Sequence, residues 1–311
     1  MLIFCKSKFN MIHFFLNVVF FASVICCKHV LANSVEEKEG WVSEYDIASN
    51  WGQFFKINDI LAKKISKYQE ILIVGTDHFG KMLFLDGSLQ LTAEDEYIYH
   101  EMIVHNPFFH HRNPKKVLII GGGDGGSARE VLKHNAVQEV TMVEIDQEVV
   151  NLCQRYLPEV HQGSLSSSRM KLIFCDGVEY LDCEETLFDI IICDGTDPFG
   201  SGVGLYSDRF FRSCRDHLNP DGIFVIHIGI PFCAKNEKNE LSKTKLVLKN
   251  LQNCFEHTKE YSVTVPSYQG GPLVFSMASK KEIRELNKDD FLLKENQMNG
   301  LNFYFNYSSY I

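Results

Sequence analysis

The feature that most constrains this chain is a change of rhythm at Pro114, after which short apolar runs alternate with amphipathic segments. The runs "KKVLIIGGGDGG", "EVTMVEID", "MKLIFCDG", "LFDIIICDGTDP" and "IFVIHIGI" predict five strands. "SAREVLKHN", "QEVVNLCQRYLPEV", "VEYLDCEET" and "SDRFFRSCRDHLNPDG" predict the helices between them, the last with a Pro-Asp-Gly stop. "KTKLVLKNLQNCF" predicts one more helix, and "HTKEYSVTVPSY" with "PLVFSMASK" a terminal strand pair. Near-continuous apolar strands separated by helices build a parallel, doubly wound sheet, so the fold class is α/β.

Upstream the pattern differs. "QEILIVGT", "KMLFLDG" and "SLQLT" carry β-branched and large apolar residues, with "DHFG" and "DGS" as hairpin signals. These predict a small antiparallel β domain, which with a linking helix occupies residues 33–112; residues 113–311 form the doubly wound domain. The helix is "EDEYIYHEMIVHNPFF", which Pro107 is expected to stop. "HH" at His110–His111 reads as solvated loop.

Residues 1–32 are set apart. Lys6 and Lys8 precede an apolar run from Met11 to Cys27, and Val30–Ala32 resembles a small-residue cleavage site. A secretory signal, a membrane anchor and an overlong start all fit, and any membrane contact is confined to residues 11–27. The net charge of −9 argues against a nucleic-acid partner and suits a small cationic one. The ten cysteines include no CxxC pair and no zinc spacing, which reads as reduced thiols. "NYS" at Asn306 matches a glycosylation acceptor and has meaning only in a secreted chain.

In a doubly wound sheet, ligands bind beyond the carboxyl ends of the strands. Four of those ends here carry glycines and acids: Gly121–Gly126, Glu144 with Asp146, Asp176 with Gly177, and Asp194 with Asp197. Glycines let the backbone approach a ligand closely. Glu144 lies about 20 residues past the loop, where an acid takes ribose hydroxyls. Asp124, inside the glycine loop, would repel a pyrophosphate and favours a nucleoside bearing positive charge. Asp124 also suits a helix N-cap, and Asp197, before Pro198, a turn. His100 suits a satisfied core position, and Tyr99 and Tyr268 suit packing.

In order along the chain, "DEYIYHEM", "GGGDGG" and "DGTDP", with "WGQFFKI", "LNPDGIF" and "VPSYQGG", resemble the polyamine aminopropyltransferases, and among them the bacterial spermidine synthases. The likeness runs from about Trp41 to Met277. It implies a Rossmann-like, methyltransferase-type sheet and transfer of an aminopropyl group from decarboxylated S-adenosylmethionine to putrescine. The products would be spermidine and methylthioadenosine. The donor is then a co-substrate, and neither a cofactor nor a metal is implied. By the same likeness Glu144 holds the ribose and Asp176 with Gly177 meets the adenine. Gln69, Gly121 and Gly123 complete the nucleoside site. Asp124 takes the ammonium of the aminopropyl arm. Tyr99, His100, Asp197 and Tyr268 line the acceptor cavity around Gln90, and Asp194 is the proton acceptor. The family forms homodimers or homotetramers in the cytoplasm.

The chain departs from that pattern in four places. Ser201 stands where the family has proline, and His227 where it commonly has glutamine. The chain ends at "FYFNYSSYI", short of a C-terminal segment in relatives, and it carries the apolar leader. Two rival readings follow: an S-adenosylmethionine-dependent methyltransferase on the same sheet, and a non-catalytic polyamine-binding relic.

Overall fold

A computed structural model describes residues 40–46, 51–197, 200–231, 243–286 and 298. The leader, Asn306 and the aromatic ending lie outside the described residues, as do Pro198 and Phe199. The first strands, β1 (Trp41–Asp46) and β2 (Trp51–Lys56), form an antiparallel ribbon. A four-stranded meander follows: β3 (Asp59–Ile65), β4 (Glu70–Gly75), β5 (Lys81–Leu85) and β6 (Ser88–Thr92). Asp86 and Gly87, at φ 47° and 77°, form the two-residue turn that joins β5 to β6. Positive φ at both central residues is what a tight, twist-compatible hairpin requires, and Asp-Gly supplies it.

The meander is apolar on both sides because both are covered. Ile71, Ile73, Leu83 and Leu85 pack on helix α3 (Gln147–Tyr156) through Val149 and Cys153, and on Leu157 and Val160 beyond it. Leu72, Val74, Met82 and Phe84 meet Val42, Phe55 and Leu89. Burial of whole side chains at about 1.5–3 kcal/mol each makes this a firm joint between the small sheet and the large one.

Helix α1 (Glu96–His110) is buried on nearly every side, and it runs through Pro107 instead of ending there. Proline costs a helix one N–H and a clash with the carbonyl one turn back, and here both fall in the last turn, where few further bonds depend on them. The helix closes when His111 N–H donates to the Pro107 carbonyl at 3.0 Å. The expected solvated loop at His110–His111 is also corrected. Both side chains are buried, and His110 Nδ1 bonds the Asn106 carbonyl at 2.8 Å.

The large sheet has the order β12-β13-β11-β10-β7-β8-β9. Its parallel strands are β7 (Lys116–Gly121), β8 (Glu139–Glu144), β9 (Met170–Phe174), β10 (Phe188–Asp194) and β11 (Leu218–Gly229). The strands β13 (Leu273–Ser279) and β12 (His257–Val263) add antiparallel at one edge, the pair expected from the sequence. Helix α2 (Gly126–Leu132) and α1 cover one face. Helices α5 (Gly177–Cys183), α6 (Asp208–Asp216) and α7 (Lys243–Cys254) cover the other, and α4 (Pro158–His161) follows α3. "NPDG" does not only stop α6. It bulges out of β11, whose pairing with β10 jumps from Phe188–Leu218 to Ile190–Ile223. The strand order reverses direction between β7 and β10, which is where an open α/β sheet forms its binding crevice.

The cysteines Cys153, Cys175, Cys183, Cys193, Cys214 and Cys254 are free. Among the described residues no helix is long and apolar enough to cross a membrane.

Candidate active site

Asp194 ends β10 directly beside Gly121 at the end of β7. Gly121 has φ +85°, and a Cβ there would lie 2.1 Å from the Asp194 carbonyl oxygen. Gly122 N–H then donates to that same carbonyl at 2.8 Å. The first glycines of the loop thus serve the neighbouring strand as well as any ligand. The Asp194 side chain projects into the crevice, where Tyr99 Oη donates to Oδ1 at 2.8 Å. Its Oδ2 is buried, and Ser127 stands beside it without closing a hydrogen bond. Burial and the charge of Asp124 push the Asp194 carboxyl up, against the pull of His100. Burial raises the Tyr99 phenol well above its ordinary value, with Asp194 adding to it, so Tyr99 stays a donor.

Asp124 Oδ1 accepts from Gly126 N–H at 2.7 Å in a turn, and the N-cap that the sequence offered to Asp124 falls instead on Gly125, one residue later. It also faces His100 Nε2 at 3.3 Å. His100 is buried, with its other nitrogen against Glu96, one helical turn earlier. Burial opposes charge on this ring, but Asp124 and Glu96 on either side outweigh it and raise the pKa well above the histidine norm. Asp124 is lowered in return by His100, despite its burial. The last glycine of the loop makes this possible. A Cβ on Gly126 would sit 2.4 Å from the His100 ring. One side-chain nitrogen of His100 and one carboxylate oxygen each of Asp124 and Asp194 all lie within 4.8 Å of one another.

Glu144 ends β8, buried, and its Oε1 accepts from Asp146 N–H at 2.9 Å. Gly123 leaves room for its other oxygen, which lies 3.0 Å from where a Cβ would be. Burial, with Asp146 and Asp124 nearby, lifts Glu144 to about 7. Gln69 Nε2 donates to Asp146 Oδ2 at 3.0 Å, so the small sheet reaches this corner. Asp176 caps α5, accepting from Val178 N–H at 2.7 Å, and Gly177 packs on Ile120, 2.4 Å from a would-be Cβ.

On the opposite side, Tyr268 Oη donates to the Gln90 carbonyl, and its ring lies 6.4 Å from that of Tyr99. The Gln90 amide turns back onto Ser88 O at 3.0 Å. Asp197 is the outlier. Its side chain is 54% exposed, and its Oδ1 stands 3.8 Å from His227 Nδ1. His227 itself is held at Nε2 by Gly195 O (2.9 Å) and Tyr206 Oη (3.0 Å), while its buried Nδ1 takes no hydrogen bond. Ser201 lies in a 3-10 segment, Gly200–Tyr206.

Several contributors were absent from the sequence-derived site. Arg129 of α2 grips Glu96 with a fork, NH1 to Oε1 at 2.6 Å and NH2 to Oε2 at 3.0 Å. Asp95 places Tyr268, accepting from Ser267 N–H (2.8 Å) and Oγ (3.0 Å). Asp146, already among the strand-end acids of the sequence, joins Gln69 to Glu144. Asp95 and Glu96 sit within the quoted "DEYIYHEM", and Asp146 within "VEID", but nothing local names their distant partners.

The family model described as "Spermine/spermidine synthase domain" matches residues 96–289, and "Spermidine synthase tetramerisation domain" matches residues 40–93. The chain belongs to the spermine/spermidine synthase family. As a member of that family it is an aminopropyltransferase, and the relatives agree. A polyamine aminopropyltransferase of Clostridium tetani is 40% identical over 78% of this chain and 83% of its own. One from Hamiltonella defensa is 38% identical over 82% and 86%. Among solved structures, a spermidine synthase in complex with the transition-state analogue AdoDATO superposes with TM-score 0.80 at 34% identity, over 90% of this chain and 93% of the other. The spermidine synthase of Thermotoga maritima gives 0.72 at 32%, over 88% and 96%. The two family matches meet at the boundary between β6 and α1, where the meander hands the chain to the helix carrying Tyr99 and His100.

Proposed function

We propose that the chain is a spermidine synthase, moving the aminopropyl group of decarboxylated S-adenosylmethionine to putrescine. The observation that carries the reading is the pairing of Asp194, held by Tyr99 with one oxygen unpartnered, with Asp124 at the strand reversal. The donor's sulfonium makes the adjacent methylene electrophilic, so neither a metal nor a covalent intermediate is required. The acceptor amine is protonated at neutral pH and cannot attack until it loses a proton. Asp194 takes that proton, the nitrogen forms its bond to the methylene, and the carbon–sulfur bond breaks to release methylthioadenosine. General-base help of this kind is worth about 10²–10⁴-fold, and alignment of donor and acceptor supplies the rest.

Asp124 holds the ammonium of the aminopropyl arm. Glu144 takes the ribose, Gln69, Gly121 and Gly123 border the nucleoside, and Asp176 with Gly177 meets the adenine. Asp197, Tyr268, Tyr99, His100 and Gln90 surround the diamine, with His227 behind Asp197. The enzyme is a cytoplasmic homodimer or homotetramer assembled through its small sheets. The exposed Trp41, Trp51 and Phe54 on β1 and β2 support that assembly.

The test is to incubate the purified chain with decarboxylated donor and a panel of diamines and read the products by mass. Methylthioadenosine with putrescine is expected. No methylthioadenosine with any amine sinks the reading, and transfer of a methyl group from S-adenosylmethionine would install the methyltransferase in its place.

A further inference from the structure

Behind Asp124 runs a string of buried groups of alternating charge that aminopropyl transfer does not by itself require. Asp124 faces His100, and His100 is paired with Glu96. Glu96 is forked by Arg129, whose Nε donates to Glu130 at 2.6 Å. Glu130, fully buried, is also met by Lys133 at 2.7 Å and by His105 Nε2 at 2.9 Å. His105 turns its other nitrogen to His134 at 3.0 Å. Such a string is costly to bury unless it is complete, and α1 and α2 together complete it.

Two carboxylates as close as Asp124 and Asp194 would ordinarily share one proton between them. A shared proton would block either the base or the site for the arm's ammonium. His100 prevents this only while it is charged and turned toward Asp124. Glu96 supplies both conditions, because its charge favours the imidazolium and its fixed oxygen sets the ring's orientation. We propose that Glu96 is a positioning residue, locked by the Arg129 fork so that it holds His100 charged against Asp124 and leaves Asp124 and Asp194 ionised side by side. This rests on the aminopropyl-transfer reading above.

The groups that face His100 can be named from each side. They are Glu96 and Tyr99 on its own helix, Asp124 in the loop, Asp194 on β10, and Arg129 behind Glu96. Tyr268 and Glu144 stand one layer out, each felt electrostatically through Asp124. Of these, Glu96 is the one that touches His100 from the side away from the crevice.

Two variants separate positioning from mere support. Glu96→Gln leaves the forked end of Arg129 without its carboxylate, though Nε keeps Glu130, and should lower the melting temperature; Glu96→Gln with Arg129→Gln removes both charges, leaves Glu130 to Lys133 and His105, and should restore most of it. In both, His100 should lose its proton at lower pH than in the parent, read by imidazole NMR of the ligand-free protein. With His100 neutral, Asp124 and Asp194 share a proton to higher pH. The acid limb of kcat/KM for the diamine should then move up by about one to three pH units, the usual reach of a charge partner at this range. If the double variant regains the parent's acid limb and ring titration along with its melting temperature, Glu96 is only structural and the inference falls. If no amine is turned over even by the parent, the reaction reading falls instead, while the NMR titration still decides the coupling of Glu96 to His100.

Discussion

Asp194 carries the chemistry proposed here, and the sharpest expectation belongs to it. Asp194→Asn keeps the shape and removes the proton acceptor, so kcat should fall about 10²–10⁴-fold while donor affinity stays within about threefold. Calorimetry beside a turnover assay checks both halves. Glu144 makes a second expectation, through pH. Its pKa in the folded chain, about 7, lies above its ordinary 4.5, so folding is opposed wherever the unfolded chain would ionise it first. That opposition is absent below about pH 4 and complete above about pH 7. Glu144→Gln should therefore stabilise the protein by about 3 kcal/mol at pH 8 and by almost nothing at pH 4, measured by denaturant melts. Donor binding should weaken in the same variant at both pH values, since the ribose loses its acceptor.

At the scale of elements, the loop between β7 and α2 is organised around its neighbours. Gly126→Ala would drive a methyl into the His100 ring. It should destabilise by about 1–3 kcal/mol and depress kcat/KM, whereas Gly163→Ala, with open space around it, should cost only the about 1 kcal/mol of its positive φ. Thermal melts of the two variants side by side make the comparison. The glycines were legible in the sequence because a backbone requirement leaves a glycine where it acts. The strand ends were legible for the same reason, as apolar runs broken by acids. The Arg129 fork was not, since Glu96 lies 33 residues away and an isolated pattern names no distant partner. Asp95 and Ser267 are separated by 172 residues. Pro107 misled because proline near a helix end forfeits one hydrogen bond without breaking the helix. His110 and His111 misled because polarity alone does not report what packs over a side chain.

Across the whole molecule, the small sheet has two tasks. One face of its meander is fastened to α3, and Gln69 reaches from it to the Asp146 that caps the same helix. The ribbon β1–β2 leaves Trp41, Trp51 and Phe54 exposed, Phe54 by 54%. Phe54→Asp on that surface should lower the assembled mass in light scattering, with the fold unchanged by circular dichroism; an unchanged mass would move the interface elsewhere. The doubly wound domain was the part most open to reading from sequence, since its strands need nothing but their own apolarity to be recognised. The contact between the two sheets was not, because each strand of the meander is apolar for a different neighbour.

Gly121 has a consequence for anyone scanning this loop by substitution. Its position in a glycine-rich turn invites the expectation that any defect there is a defect of nucleoside affinity. The atom that a side chain at 121 would strike belongs to the main chain of Asp194. A Gly121→Ala variant would therefore imitate a binding mutant in its location and a base mutant in its kinetics. It should lose turnover more steeply than donor affinity, and a survey that sorts residues by neighbourhood alone would file it under the wrong cause.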